Sequence, residues 1–182
     1  MIGNDVVDLA LAEKASNWKR EGFLNKIFTK SEQLLISNAE KPSIMVWNLW
    51  SRKEAAYKIY NRKTNSRGYF PLLLECSDLK SIDGTVFGKV VIQNLIYYTK
   101  TEINSQFIHT VAVEKTDDFD GIINLKNRTN IHKKNGIPNY SETGNSVSKP
   151  VSISHHGRFE QIISFYDKPN LDFSFRKSNP IL

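Results

Sequence analysis

The chain has a single cysteine among its 182 residues and no run that is both long and apolar. Cys76 cannot form an internal disulfide, and no cysteine or histidine stands near it at a spacing typical of a metal site, so we expect a buried small residue. No run reaches the length of a membrane-spanning helix, and the N-terminus lacks a basic segment followed by an apolar one. These absences predict a cytoplasmic protein without a membrane partner.

Charge is the next constraint, because basic residues outnumber acidic ones by 25 to 19 and the formal net charge is +6. Such a surface attracts phosphates, nucleic acids, membranes or acidic proteins, and charge alone does not choose among them. Hydrophobic residues make up 40% of the chain and charged residues 24%, which is the balance of a folded domain rather than a disordered one.

The order of periodic segments predicts an α+β fold, with an N-terminal strand and three helices packed on a mainly antiparallel sheet. The predicted helices cover residues 8–23, 29–41 and 42–60, and the predicted strands cover 1–7, 70–76, 86–99, 107–114, 151–155 and 159–165. We expect one domain over residues 1–182, in which Thr116–Lys149 is rich in loops and Lys168–Leu182 is a peripheral tail.

The third predicted helix carries Glu54 and Lys58 four residues apart, so both side chains project from one helix face. A carboxylate beside an ammonium group can hold a divalent cation and steady a phosphate. The same spacing is also typical of an ordinary helical ion pair worth about 0.2–0.5 kcal/mol. Asp5 at the end of the first strand would, by itself, be an ordinary strand-end residue. The pattern alone leaves both interpretations open.

Four segments in a fixed order carry a family resemblance. Gly3-Asn4-Asp5 is followed about forty residues later by Trp50-Ser51-Arg52-Lys53-Glu54-Ala55-Ala56-Tyr57-Lys58, which resembles the signature of the 4'-phosphopantetheinyl transferases. Phe28-Thr29-Lys30-Ser31-Glu32 and Val151-Ser152-Ile153-Ser154-His155 resemble two further segments of the single-module members, the holo-acyl-carrier-protein synthases. The resemblance implies the fold of that family and Mg2+-dependent transfer of 4'-phosphopantetheine from coenzyme A to a carrier-protein serine, releasing 3',5'-adenosine bisphosphate.

The resemblance also implies roles for individual residues. Asp5 and Glu54 would hold Mg2+, a hard cation that prefers carboxylate, water and phosphate oxygens. Lys58 would lie against the coenzyme pyrophosphate, for charge neutralisation or proton transfer, so that Glu54 and Lys58 are the candidate catalytic residues. Lys53 would contact the nucleotide or pack through its alkyl stem, and His155 would lie near the 3'-phosphate. Coenzyme A is then the co-substrate.

Three local patterns are interpreted as structural. Thr29 and Glu32 have the spacing of a capping box, which explains Glu32 without a catalytic role. His155 and His156 are adjacent on an alternating strand and face opposite sides, which argues against a zinc site and leaves His156 as a surface or turn residue. Ser152 and Ser154 are not accompanied along the chain by an acid and a base in an order found in serine hydrolases.

Partners follow from the same resemblance. Lys19, Arg20 and Lys26 are candidates for contacting an acidic apo carrier protein, serving either fatty acid biosynthesis or secondary metabolism. Single-module members of the family place the coenzyme between the subunits of a trimer, and the Asp5 and Lys53-Glu54-Ala55 pattern is not repeated here, so the resemblance implies a homo-oligomer, a trimer. Two alternatives remain: an inactive member that binds coenzyme A or carrier protein, and a basic nucleic-acid-binding module, for which no stacking motif or helix-turn-helix signature is found. The general base is unassigned, as are the roles of Arg62, Lys63 and Arg67.

Overall fold

The computed structural model of the chain describes residues 1–66, 68–134, 136–141 and 148–166. These residues form an α+β fold, as the order of segments predicts, with two antiparallel sheets of five strands each. The helices are α1 (Leu9–Ala15), α2 (Phe23–Ile27), α3 (Lys30–Asn38) and α4 (Pro42–Thr64). The strands are β1 (Ile2–Asp8), β2 (Leu74–Ile82), β3 (Thr85–Ile92), β4 (Leu95–Ile103), β5 (Phe107–Val113), β6 (Ile122–Asn124), β7 (Ile131–Lys134), β8 (Ile137–Tyr140), β9 (Lys149–His156) and β10 (Phe159–Phe165).

The long helix α4 organises the first sheet, whose strand order is β1-β5-β4-β3-β2. It contacts all five of these strands and runs closest to β1 and β5. Gly3 permits the close approach to β1, because a Cβ atom at this position would overlap the carbonyl oxygen of Ala55. The helix buries an apolar face against the sheet, formed by Val46, Leu49, Ala55, Ala56 and Ile59.

The helical region departs from the sequence-based prediction in its boundaries. The helix predicted over residues 8–23 ends already at Ala15, and a separate short helix begins at Phe23, so the described residues form four α-helices instead of three. Asp8 ends β1 and caps α1, because its Oδ1 accepts hydrogen bonds from the backbone N–H groups of Ala10 and Leu11 at 3.1 and 3.4 Å. The capping box predicted for α3 is confirmed, with both reciprocal bonds between Thr29 and Glu32 present. Both findings follow from side-chain bonds to free amides at helix starts.

Two strand predictions also need correction. The strand predicted over residues 86–99 is two strands, because Gln93 adopts a left-handed conformation (φ 53°) and turns the chain between β3 and β4. The strand predicted from residue 70 begins only at Leu74, after a 3-10 turn over Pro71–Leu73. The segment Thr116–Lys149 contains the short strands β6, β7 and β8 among its described residues. The predicted tail Lys168–Leu182 lies outside the described residues.

The second sheet, of order β6-β10-β9-β8-β7, joins the first along the free edge of β1. Alternate β9 side chains accept hydrogen bonds from alternate β1 backbone N–H groups, all at 2.9 Å. The pairs are Asn4 with Ser152 Oγ, Val6 with Ser154 Oγ, and Asp8 with His156 Nδ1. We call this junction the β1–β9 seam. It satisfies edge amides that would otherwise be buried without a partner.

Two basic side chains of α4 complete the β1–β9 seam from the helix side. Lys58 donates to the carbonyl oxygens of Asn4 on β1 and Ile153 on β9, at 2.6 and 3.1 Å. Arg62, one turn later, donates to the carbonyl oxygen of Ile2 at 3.4 Å and also to that of Val151. The helix and both sheets therefore meet at one place, beside Asp5. In the described part of the chain, no helix is both long and apolar enough to cross a membrane.

Candidate active site

Asp5 and Glu54, distant in sequence, come together between β1 and α4. Gly3 and Val7 of β1 pack toward the helix, and Asp5 lies between them on the same face of the strand. Burial, followed by the nearby Asp5 carboxylate, raises the pKa of Glu54 to about 7. Burial also raises the pKa of Asp5 above its usual range, although Lys58 and Ser154 oppose this. The structure thus places two coupled carboxylates in one poorly hydrated site.

The contacts of the two carboxylates leave oxygen atoms available. Asp5 Oδ1 accepts a hydrogen bond from the Ser154 hydroxyl at 3.0 Å, and the Ser51 hydroxyl donates to the Asp5 carbonyl oxygen at 3.3 Å. No other described side chain donates a hydrogen bond of standard geometry to Asp5 or to Glu54. The ammonium of Lys58 lowers the pKa of both groups without outweighing burial. The donors and the ammonium around the site therefore do not fully compensate the burial of these two carboxyl groups.

These features fit a hard divalent cation such as Mg2+. Carboxylate oxygens are its preferred protein ligands, and a bound cation would offset the burial that raises both pKa values and, at Glu54, the added repulsion from Asp5. The described residues contain no cluster of three or more histidine, cysteine, aspartate or glutamate side chains suited to a metal. Protein side chains would therefore supply two ligands here, and water or substrate oxygens would have to supply the others.

Lys58 lies at the base of this site and is held firmly. Its bonds to the carbonyls of Asn4 and Ile153 use two of its three N–H donors. Burial lowers the pKa of Lys58, and the two carboxylates, Asp5 before Glu54, partly restore it. The ammonium therefore has a fixed position and one remaining donor near the carboxylates.

Lys53, for which the resemblance implies either a nucleotide contact or packing of its alkyl stem, lies inside the core. Its side chain and that of Glu32 are both 0% exposed, and the two form an ion pair at 2.6 Å. The other donors of Lys53 bond to the carbonyl oxygens of Ile27 and Pro71 at 2.9 and 2.8 Å. All three N–H donors are thus used internally, and the ammonium presents no surface to a nucleotide. Lys53 joins α4 to α2 and to the turn before β2.

The two histidines occupy opposite sides of β9, as the alternation predicts. His155 is exposed, and its proposed proximity to a 3'-phosphate remains a prediction. His156 is not the surface or turn residue expected from the sequence, because its Nδ1 accepts the Asp8 N–H within the β1–β9 seam. Ser152, Ser154 and His156 follow one another at intervals of two residues, and this alternation could have indicated that all three lie on the same face of β9.

Tyr69 is a site residue that the sequence reasoning missed. Its ring meets those of Trp50 and Tyr57 edge-on, with centroids 5.7 and 5.2 Å apart. Its hydroxyl lies close enough to Glu54 to lower the pKa of that carboxyl, yet forms no hydrogen bond of standard geometry. Burial, and then Glu54, raise the pKa of Tyr69, so it stays a neutral donor. No spacing rule links a loop tyrosine to a helical glutamate.

The other basic candidates that the structure describes lie at separate places. Lys19, Arg20 and Lys26 are exposed on the segment from α1 to α2. A cavity of about 570 Å³ lies beside Lys19 and is also bounded by Trp18 and Trp47. Of the residues left unassigned by the sequence, Arg62 belongs to the β1–β9 seam, Lys63 pairs with Glu114, and Arg67 lies outside the described residues.

Comparison with known proteins identifies the family. The family model described as 4'-phosphopantetheinyl transferase superfamily matches residues 1–112. The holo-[acyl-carrier-protein] synthase of Protochlamydia amoebophila is 36% identical over 59 residues, which cover 31% of this chain. That of Verminephrobacter eiseniae is 34% identical over 59 residues, which cover 32% of this chain. These matches span 47% and 45%, a little under half, of each relative. The crystal structure of Helicobacter pylori holo-[acyl-carrier-protein] synthase in complex with coenzyme A superposes with a TM-score of 0.48 at 21% identity, over 63% of this chain and 100% of that one. The family model covers more than half of the sequence, and the chain belongs to the 4'-phosphopantetheinyl transferase superfamily.

Proposed function

We propose that this chain transfers the 4'-phosphopantetheine group from coenzyme A to a serine of an acidic apo acyl or peptidyl carrier protein, releasing 3',5'-adenosine bisphosphate. Membership of the superfamily supports the reaction class. The observation that carries the proposal for this chain is that β1 and α4 bring the carboxyl groups of Asp5 and Glu54 together beside Lys58, where a bound cation would offset the burial that raises both pKa values. The site is formed by three of the four segments that carry the family resemblance, those that contain Asp5, Glu54 and Ser154.

The residues of the chain have distinct tasks in this reaction. The serine hydroxyl of the carrier attacks the pantetheine-bearing phosphorus, and the bond to the adenosine phosphate breaks, so negative charge moves onto the departing phosphate. Asp5 and Glu54 would hold Mg2+, which neutralises charge on the pyrophosphate when bound. Lys58, fixed by two carbonyl bonds, offers its remaining N–H to a phosphate oxygen at no cost in reorientation. The proton of the serine passes to water or to a carboxylate.

A mass measurement tests the proposal. The protein is incubated with coenzyme A, Mg2+ and an apo carrier protein, and the carrier is weighed by mass spectrometry. We expect the addition of one phosphopantetheine group, and we expect a metal chelator to abolish it. Asp5→Asn and Glu54→Gln should each slow transfer by at least about a hundredfold, whereas Asp117→Asn, at an exposed carboxylate away from the site, should not.

Each outcome bears on a separate part of the proposal. Wild-type rates in both site variants would remove the assignment of Asp5 and Glu54 to the metal. A folded wild-type protein that modifies no carrier, but whose melting temperature rises with coenzyme A, would favour the inactive-member alternative. Strongly salt-dependent binding of RNA or DNA without transfer would instead favour the nucleic-acid-binding alternative.

The assembly and its partner are further parts of this proposal. We propose a homo-oligomer, a trimer, in the cytoplasm, and sedimentation of an active monomer would contradict the oligomer. Lys19, Arg20 and Lys26 are exposed and available to an acidic carrier helix. Reversing their charge should raise the KM for carrier and leave the KM for coenzyme A unchanged. An unchanged KM for carrier would remove this docking assignment.

A further inference from the structure

Ser154 makes two hydrogen bonds that together fix the direction of its hydroxyl proton. Its Oγ accepts the backbone N–H of Val6 at 2.9 Å and lies 3.0 Å from Asp5 Oδ1. Because the N–H occupies a lone pair of the oxygen, and a carboxylate oxygen can only accept, the hydroxyl proton points at Asp5. The side chain is almost fully buried, so water does not compete strongly for this proton.

The same strand contains a matched residue that lacks the second bond. Ser152 lies two residues earlier on the same face of β9, is fully buried, and accepts the N–H of Asn4 at 2.9 Å. No described carboxylate accepts a hydrogen bond from it. The two serines therefore perform the same task in the β1–β9 seam, and only Ser154 also contacts a candidate metal ligand.

We propose that Ser154 is a positioning residue, which holds Asp5 Oδ1 by its hydroxyl so that Oδ2 is presented to a divalent cation beside Glu54. This deepens the proposed function and rests on its metal site. A ligand with one oxygen anchored loses little freedom when it binds the ion, whereas an unanchored aspartate must first be ordered. Ser154 contacts Asp5 across the β1–β9 seam, so the orientation of the Asp5 carboxylate depends on how β9 packs against β1.

The experiment compares Ser154→Ala with Ser152→Ala. Each variant leaves one seam amide of β1 without its partner, so we expect similar losses of thermal stability. Mn2+ binding to the full chain is then measured by water-proton relaxation, without coenzyme A or carrier protein. We expect Ser154→Ala to weaken Mn2+ binding by about ten- to a hundredfold, and Ser152→Ala to change it less than about threefold. Ser154→Thr, which keeps the hydroxyl, should recover most of the binding, and Asp5→Asn should abolish it.

Other results would overturn the inference. Equal Mn2+ affinities in the two alanine variants, or failure of Ser154→Thr to recover binding, would show that the hydroxyl has no particular role at Asp5. A wild-type protein that takes up no Mn2+ would remove the site altogether. Since this readout needs neither coenzyme nor carrier, Mn2+ uptake without any phosphopantetheine transfer would defeat the proposed function and leave the inference about Ser154 intact.

Discussion

The ion pair between Lys53 and Glu32 makes the sharpest prediction about the core. Both side chains are 0% exposed. Besides Lys53, the Glu32 carboxylate accepts the backbone N–H groups of Thr29 and Cys76, each at 2.8 Å. Replacement by methionine keeps most of the lysine stem and removes the ammonium. Lys53→Met therefore leaves a buried carboxylate without its counter-charge and two carbonyl oxygens without donors.

Removing one partner of a buried pair costs about 3–5 kcal/mol. For a chain of this size, that loss corresponds to a fall in melting temperature of roughly 6–20 °C. Urea denaturation followed by circular dichroism measures it, with Lys30→Met, at an exposed position of α3, as the control expected to stay within about 0.5 kcal/mol. Adding Glu32→Gln to Lys53→Met removes the unpaired charge and keeps the capping-box geometry. The double variant should therefore be more stable than Lys53→Met alone.

The same variants separate a structural lysine from a coenzyme ligand. If Lys53 acts only in the core, the folded double variant should keep the KM for coenzyme A of the wild type. A loss below about 1 kcal/mol in Lys53→Met, or no recovery in the double variant, would refute the reasoning about the buried pair. A large rise in the KM for coenzyme A in a stably folded double variant would restore the nucleotide contact predicted from the family resemblance.

Two further predictions concern packing and pH. Gly3→Ala should lower the free energy of unfolding, measured by denaturation, by at least about 1–3 kcal/mol, because the new Cβ would overlap the carbonyl oxygen of Ala55. Gly121→Ala is the control, because the atom nearest to its new Cβ is 3.6 Å away. Equal losses of stability in the two variants would contradict the argument. Burial, with a smaller contribution from Lys58, lowers the pKa of His109 from 6.5 to about 4. The unfolded chain then binds the proton first as the pH falls, so roughly 3 kcal/mol of stability present above pH 6.5 is lost toward pH 4. The difference between the stability curves of the wild type and His109→Gln should show this loss, and parallel curves would rule it out.

Local patterns of the sequence predicted the parts of the molecule that depend on local geometry. The capping box of α3 needs only Thr29 and Glu32, three residues apart, and its bonds are present. Glu54 and Lys58 share a helix face because they are four residues apart. The proximity of Asp5 to Glu54 was predicted from the spacing of the family motif and not from any periodicity of the sequence. The buried position of Cys76 agrees with its expected role.

The sequence did not predict contacts between remote polar residues. Lys53 and Glu32 are 21 positions apart, and each has an ordinary local explanation, so nothing in the sequence pairs them. A family motif containing both Lys53 and Lys58 also gives no indication that neighbouring turns of α4 send one lysine into the core and the other to the β1–β9 seam. Such assignments depend on the rotation of the helix about its axis, which is set by packing against β1 through Gly3.

The β1–β9 seam extends the candidate active site beyond the residues that the family model matches. The match covers residues 1–112, which include Asp5, Glu54 and Lys58. Ser154, which holds Asp5, and the carbonyl of Ile153, which holds Lys58, both belong to β9 beyond that match. Without β9, the amides of Asn4, Val6 and Asp8 would also lose their acceptors. The matched part therefore supplies the charged groups of the site, and the later strand holds two of them, Asp5 and Lys58, so that both parts together form the candidate active site.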